Sequence, residues 1–242
     1  MFVPVTELGL VPVDEMGKPV LLDEPAGDMT VRVSKHPELW ACAISEEHAR
    51  SLGELVSARA CFGDRLITRA IGMMKYRYLN RFDAATGQPL EFPHTGVVGI
   101  PEQRTGMLFP RVDPAVITRV HHPEEDAILM GRDIKRPDFF SLIAGYVDIG
   151  ESLEDAAARE VKEETGFDVQ DVRYFGSQPW VLSGSLMVGF TAIATEESLA
   201  HPGPRDGELV EVRWVNRDEL DSLKRPGAGS IAHKLLEEWY FQ

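Results

Sequence analysis

The chain has 242 residues, with 39 acidic against 25 basic side chains and a formal net charge of −14. That length allows one large or two modest domains with real cores, and its 43% hydrophobic and 26% charged residues are those of a globular protein, not a disordered or fibrous one. The acidity argues against a broad nucleic-acid surface, which needs clustered Lys and Arg, and no apolar run is long enough to span a bilayer.

The first residues carry acids early and lack a basic stretch followed by an apolar block, so no leader is expected and the expected location is cytoplasmic. Cys42 and Cys61 are the only cysteines and read as reduced structural thiols.

In chain order, residues 29–33 alternate like a strand and 40–44 form a short apolar run. Residues 46–56 and 65–78 have helical spacing. Residues 1–75 are therefore expected to form a small α+β domain without a catalytic motif. Residues 76–110 are rich in Gly, Pro and turn formers and read as a compact connector or small hairpin. From 111 to 242 the pattern changes. Residues 115–120 and 127–130 read as strands around a polar turn, and 139–144 lead into a long amphipathic segment. Residues 173–175, 186–194 and 209–215 read as further strands, and 230–240 as a closing helix. Strands, a central helix, more strands and a final helix imply a mixed sheet between helices, an α/β (α+β) fold.

The central segment carries the chemistry. Ser152, with Asp155 three residues on, is a helix N-cap candidate, and Gly166 a C-terminal stop. At about 100° per residue, Glu160 and Glu164 fall one turn apart on the side of Leu153 and Ala157. Glu163 lies at the edge of that side, while Asp155, Arg159 and Lys162 point roughly the opposite way. Carboxylates crowded on a half-buried face are costly through desolvation and repulsion. A divalent cation removes that cost, and an all-oxygen donor set suits a hard ion such as Mg²⁺ or Mn²⁺. The bland alternative is a solvated acidic helix braced by the i,i+4 pair Arg159–Glu163. The helix phase and the glycines at fixed offsets oppose it.

Gly145, Glu151, Arg159, Glu160, Glu163, Glu164 and Gly166, with apolar Val161 and Phe167, fill every specified position of the Nudix box. The chain thus resembles the Nudix hydrolases, which cleave a diphosphate linked to a nucleoside and another group. Residues 177–180 read S-Q-P-W, where the NADH pyrophosphatases of that family carry S-Q-P-W-P-F-P-x-S, and Ser185 supplies the last serine. Residues 109–117 look like the segment entering their first Nudix strand. The resemblance covers residues 65–240 well.

It implies an α/β/α sandwich and a divalent-metal enzyme using Glu160, Glu163 and Glu164, with Arg159 and Glu151, as its catalytic set. The metal ligands would be the Ala144 carbonyl, Glu160, Glu163, Glu164 and, beyond the box, Glu211. Substrate contacts would come from Phe109, Tyr146, the loop from Gln178 through Pro179 and Trp180 to Ser185, and the backbone of Ala232. It also implies a homodimer, with Phe109 and Ala232 crossing to the partner's site, and no membrane contact.

Two departures stand out. The family's zinc ribbon would place four cysteines where this chain has Leu79, Phe82, Pro101 and Arg104, and no C-x-x-C occurs anywhere. A zinc-free connector, packed through Leu79 and Phe82, is expected. Val181, Leu182 and Ser183 replace the Pro-Phe-Pro. The expected activity is hydrolysis of the small-molecule dinucleotides NADH and NAD⁺ to AMP and nicotinamide mononucleotide. The chain's acidity ranks NAD-capped RNA below them. The alternatives are ADP-ribose or another nucleoside diphosphate derivative as substrate, and a non-catalytic nucleotide sensor.

Overall fold

The computed structural model describes residues 1–103, 106–203 and 205–241. These form two compact units, Met1–Val112 with Val181–Gly184, and Asp113–Trp180 with Ser185–Gln242. No helix among the described residues is long and apolar enough to cross a membrane.

In the first unit, β1 (Phe2–Val5) pairs in parallel with β4 (Glu38–Ala43), and β4 pairs antiparallel with β3 (Thr30–Lys35). A short strand, β2 (Val11–Val13), pairs with β5 (Glu54–Val56). Between β4 and β5 lies α1 (Glu46–Leu52), capped by Ser45. The expected helix over 46–56 therefore stops at Leu52. Gly53 comes so close to the Val13 carbonyl that a Cβ would stand 2.1 Å from its oxygen, and residues 54–56 then join the strand opposite. After a 3₁₀ turn (Ala58–Cys61) comes α2 (Arg65–Leu79), capped by the Asp64 carboxylate on the Leu66 and Ile67 amides. Its Ile67, Ala70, Ile71 and Met74 recur at helical spacing and pack on Val3, Val5, Val31 and Ala41 of the sheet.

Within residues 76–110 the regular pieces are two-residue strands, β6 (Leu90–Glu91) paired with β7 (Ile100–Pro101). Leu79 and Phe82 do not hold this segment; they are 73% and 60% exposed. Tyr76 and Arg77 hold it from α2. The Tyr76 ring meets Phe92 edge-on at 5.9 Å, its hydroxyl donates to the Leu108 carbonyl, and Arg77 binds three carbonyls. Of the four ribbon positions, Arg104 lies outside the described residues.

The second unit is built on one seven-stranded sheet. Its strands are β8 (Asp113–His121), β9 (Ala127–Asp133), β10 (Phe140–Ser141), β11 (Ile143–Tyr146), β12 (Val169–Trp180), β13 (Ser185–Ala194) and β14 (Leu209–Asn216). The path runs β10-β9-β8-β13-β12, with β11 on β8 and β14 on β9. The β8–β13 pair is parallel and the others are antiparallel, so the sheet is mixed. Helix α3 (Leu153–Thr165) is the box helix. Two short helices, α4 (Glu196–Ala200) and α5 (Arg217–Leu220), are not evident in the sequence pattern, and α6 (Ile231–Tyr240) closes the chain.

The strands alternate between two cores, as a period of two requires. Ile117, Ile128 and Met130 face Ile231, Leu235, Leu236 and Trp239 of α6. Val116, Val120 and Leu129 belong to the clusters that hold Ala156, Ala157 and Val161 of α3. The result is the α/β/α sandwich. β12 extends far beyond the expected 173–175. It has exposed or half-buried positions throughout and two register shifts, which break its alternation.

Candidate active site

Helix α3 begins as expected, with the Ser152 hydroxyl accepting from the Asp155 amide, and ends at Gly166, whose φ of 81° is left-handed and suits glycine. At the end of β11, Gly145 faces the Glu160 carboxyl so closely that a Cβ would lie 1.9 Å from its Cδ. Any side chain at 145 would displace this carboxylate.

Arg159 departs from its expected outward direction. Its Nε and Nη2 grip Glu151 bidentately at 2.8 and 2.9 Å. Nη1 donates to Glu160 at 3.0 Å and Glu163 at 2.8 Å, and Nη2 also reaches the Tyr146 carbonyl. The surface pair Arg159–Glu163 and the buried carboxylate face thus coexist. The arginine, long and forked, folds back across the helix because several carboxylates lie within its reach. Its hydrogen bonds hold the Glu151 carboxyl below the usual carboxylate range.

Glu164 is the least exposed acid of the box, at 7%. Burial, then the carboxylates of Glu160, Asp206, Glu208 and Asp133, push its pKa up to about 8. Burial also raises Glu160, with Glu163 and Glu208 adding to the rise and Arg159 opposing it. No three acids among the described residues form a ready-made cation cage; Arg159 is the positive charge that Glu160 and Glu163 share.

Glu211 is held by two arginines. Its carboxylate takes two hydrogen bonds from Arg132, at 2.9 and 3.1 Å, and lies 3.7 Å from Arg213. The acids that do act on Glu164 from outside the box are Asp133, at the end of β9, and Asp206 and Glu208, before β14. Sequence reasoning missed all three. The Asp206 amide donates to the Glu163 carbonyl and the Glu208 amide to the Asp206 carboxylate, which ties this turn to α3. The available signal was the Asp206-Gly207-Glu208 run just ahead of a strand, which places acids at a strand entrance.

The remaining candidates fall into separate places. The Tyr146 hydroxyl lies 3.3 Å from the Ser185 hydroxyl, so these two meet. Gln178, Pro179 and Trp180 are not loop residues but the last rungs of β12, paired with Met187, Leu186 and Ser185; only Val181–Gly184 turn. Antiparallel pairing on β13 straightens what the Pro and Trp make irregular in sequence. The Gln178 amide is engaged with the protein itself. It donates to the Gly229 carbonyl at 2.7 Å and accepts from the Ile231 amide at 2.8 Å, bracing the start of α6. The Ala232 side chain is buried in the core beside α6, leaving only backbone for a ligand. Phe109 is 61% exposed in the first unit. Ala144 occupies β11 next to Gly145.

The Nudix domain model matches residues 111–238, more than half of the chain. The chain belongs to the Nudix hydrolase family. Among curated Nudix relatives, the NAD-capped RNA hydrolase NudC of Mycobacterium bovis (strain BCG / Pasteur 1173P2) is 36% identical over 218 residues, 84% of this chain and 67% of the relative. The human NAD-capped RNA hydrolase NUDT12 is 39% identical over 142 residues, 54% of this chain and 30% of that protein. A solved NUDIX hydrolase from Nitrosomonas europaea shares the fold at a TM-score of 0.54 and 20% identity, covering 66% of this chain and 90% of that one.

Nudix enzymes use divalent metal ions, and the residues here fit one. Glu164 and its acidic neighbours are crowded enough that burial and repulsion hold a proton on it to about pH 8. A cation would relieve both effects, and every donor is a hard oxygen.

Proposed function

We propose that this protein hydrolyses the diphosphate bridge of NADH and NAD⁺, releasing AMP and nicotinamide mononucleotide, and that it acts on the same linkage at the 5′ end of NAD-capped RNA. The observation that carries this reading is the Glu160 carboxylate packed against Gly145 and coupled to the buried Glu164, in a chain alike over 84% of its length to a relative named for NAD-capped RNA hydrolysis.

Glu160 and Glu164, with Glu163, the Ala144 carbonyl and Glu211, would hold Mg²⁺ or Mn²⁺, with Glu208 a further acid acting on Glu164. The ion would supply positive charge against the diphosphate and make the attacking water more acidic. The chain's own part is positional. Arg159 holds Glu160 and Glu163 and ties them to Glu151 and the Tyr146 carbonyl. Gly145 leaves room for the Glu160 carboxylate. Tyr146 and Ser185 offer a ring and two hydroxyls to the nucleotide; Phe109, an exposed ring of the first unit, is the residue that would reach a base in the partner's site. Gln178 acts indirectly by fixing the start of α6, where the Ala232 backbone lies.

In this reading residues 1–75 and the connector 76–110 are accessory to the catalytic residues 111–242. The connector has no sulfur ligands, so no zinc is assigned. The active species is a cytoplasmic homodimer. A second reading, ADP-ribose as the preferred substrate, rests on the Val181-Leu182-Ser183 turn, which lacks the two rigid prolines and the aromatic of the NADH pyrophosphatases. The purified chain, assayed for AMP release from NADH, NAD⁺, ADP-ribose and a 5′-NAD RNA with Mg²⁺ or Mn²⁺, decides between them. Faster turnover of NADH and NAD-RNA than of ADP-ribose supports the first reading, and the reverse ranking overturns it.

A further inference from the structure

The first unit contains a cavity of about 340 Å³ that shares no residue with the carboxylate cluster. Arg77, in the last turn of α2, and Arg81, two residues beyond its end, line it together with His94 and the apolar Met29 and Leu90; Asp28 is the one carboxylate among its lining residues.

Arg77 is 5% exposed, and burial lowers its pKa. Every partner it has is neutral. Nη1 donates to the Thr30 carbonyl at 2.7 Å and Nη2 to the carbonyls of Pro93 and Gly96, while the guanidinium lies 5.3 Å over the Phe92 ring. Its Nε is buried with no hydrogen-bond partner among the described residues. No carboxylate forms an ion pair or hydrogen bond with it among the described residues. A buried charge held by dipoles alone keeps a large desolvation cost that a counter-anion would reduce.

Arg81 and His94 stand at the exposed mouth. Among the described residues Arg81 makes one ion pair, a long, solvent-exposed one of 3.7 Å with Glu7, which holds it weakly. In a chain of net charge −14, two arginines against one carboxylate around one cavity are a local reversal of sign. Two arginines suit the several oxygens of a phosphate better than a single carboxylate pair would. The cavity is larger than a phosphate group, and its Met29 and Leu90 wall is apolar.

We propose that this cavity binds a phosphate group, with Arg77 as the buried countercharge and Arg81 and His94 closing on it from the mouth.

The test is calorimetry on the full chain in EDTA with inorganic phosphate, AMP and, as the phosphate-free control, adenosine. It is run on the wild type, on Arg81→Gln/His94→Gln and on Glu164→Gln. A phosphate-bearing probe should bind and adenosine should not. The double variant should weaken binding at least tenfold while its melting temperature and dinucleotide turnover stay at wild-type values, and Glu164→Gln should leave binding intact. AMP binding tighter than phosphate identifies an organic phosphate as the ligand; equal affinity identifies free phosphate. Absence of binding by either probe, or binding that the double variant leaves unchanged, overturns the proposal.

Discussion

The Glu160 carboxylate occupies the space that a side chain at Gly145 would need: an ideal Cβ there lies 1.9 Å from its Cδ and 2.1 Å from both oxygens. Glycine at this position is a packing requirement of one carboxylate, not a demand for unusual backbone torsion.

Gly145→Ala should therefore act through Glu160. The carboxylate has to move, with an overpacking cost of about 1–3 kcal/mol, and Arg159 loses one of the groups it holds in place. A melting temperature lowered by a few degrees is expected, with kcat down about tenfold or more from misplacement of a catalytic group. Circular dichroism melting alongside NADH turnover checks both; wild-type turnover by the alanine variant would contradict the geometry.

Glu164→Gln separates function from stability. Loss of a charged group that acts in the transition state should lower kcat by about a hundredfold or more. The amide also removes a carboxylate that burial and its acidic neighbours disfavour. The metal-free variant should therefore be more stable than the wild type at pH 8 and above, measured by urea unfolding in EDTA.

The same group sets a pH dependence. Its folded pKa, about 8, lies above its ordinary value of 4.5, so between these values the folded chain binds more protons than the unfolded one. Stability from this source is fully present below about 4.5 and is lost as the pH rises through 8. Urea midpoints of the metal-free protein should fall between pH 6 and pH 9, the fall should be smaller in Glu164→Gln, and saturating Mg²⁺ should reduce it. A wild-type midpoint that is level or rising over that range, with the variant behaving identically, would refute the assignment.

Gln178→Ala removes both hydrogen bonds that brace the start of α6. At about 0.5–1.5 kcal/mol each, the second unit should lose about 1–3 kcal/mol. Gln178→Glu keeps the acceptor for the Ile231 amide but loses the donor to Gly229, so its loss should be intermediate. If the role is positional, KM should rise in both variants more than kcat falls, as steady-state kinetics will show.

Much of the site was legible because the relevant residues are close together in one helix. A 3.6-residue period puts Glu160 and Glu164 on one side whatever the rest of the chain does, and Ser152 and Gly166 mark the ends by local hydrogen bonding and left-handed torsion. The strands β8 and β9 were legible as short, largely apolar runs, which fits burial on both faces between α3 and α6.

Tertiary structure decided what depends on distant partners. Arg159 points outward by helix phase alone, yet its long side chain turns back because Glu151, from the loop ahead of the helix, joins Glu160 and Glu163 within its reach. The family resemblance points to Glu211 as a ligand and passes over Glu208. Pairing of β14 with β9 sets Arg132 against Glu211 and leaves Glu208 and Asp133 to act on Glu164. Gln178 looks like a substrate contact until β12 carries it to the carbonyl and amide that open α6. Local periodicity and turn chemistry act over a few residues and can be read from the chain by themselves. Charge partners are chosen by strand register, which sequence periodicity leaves undetermined.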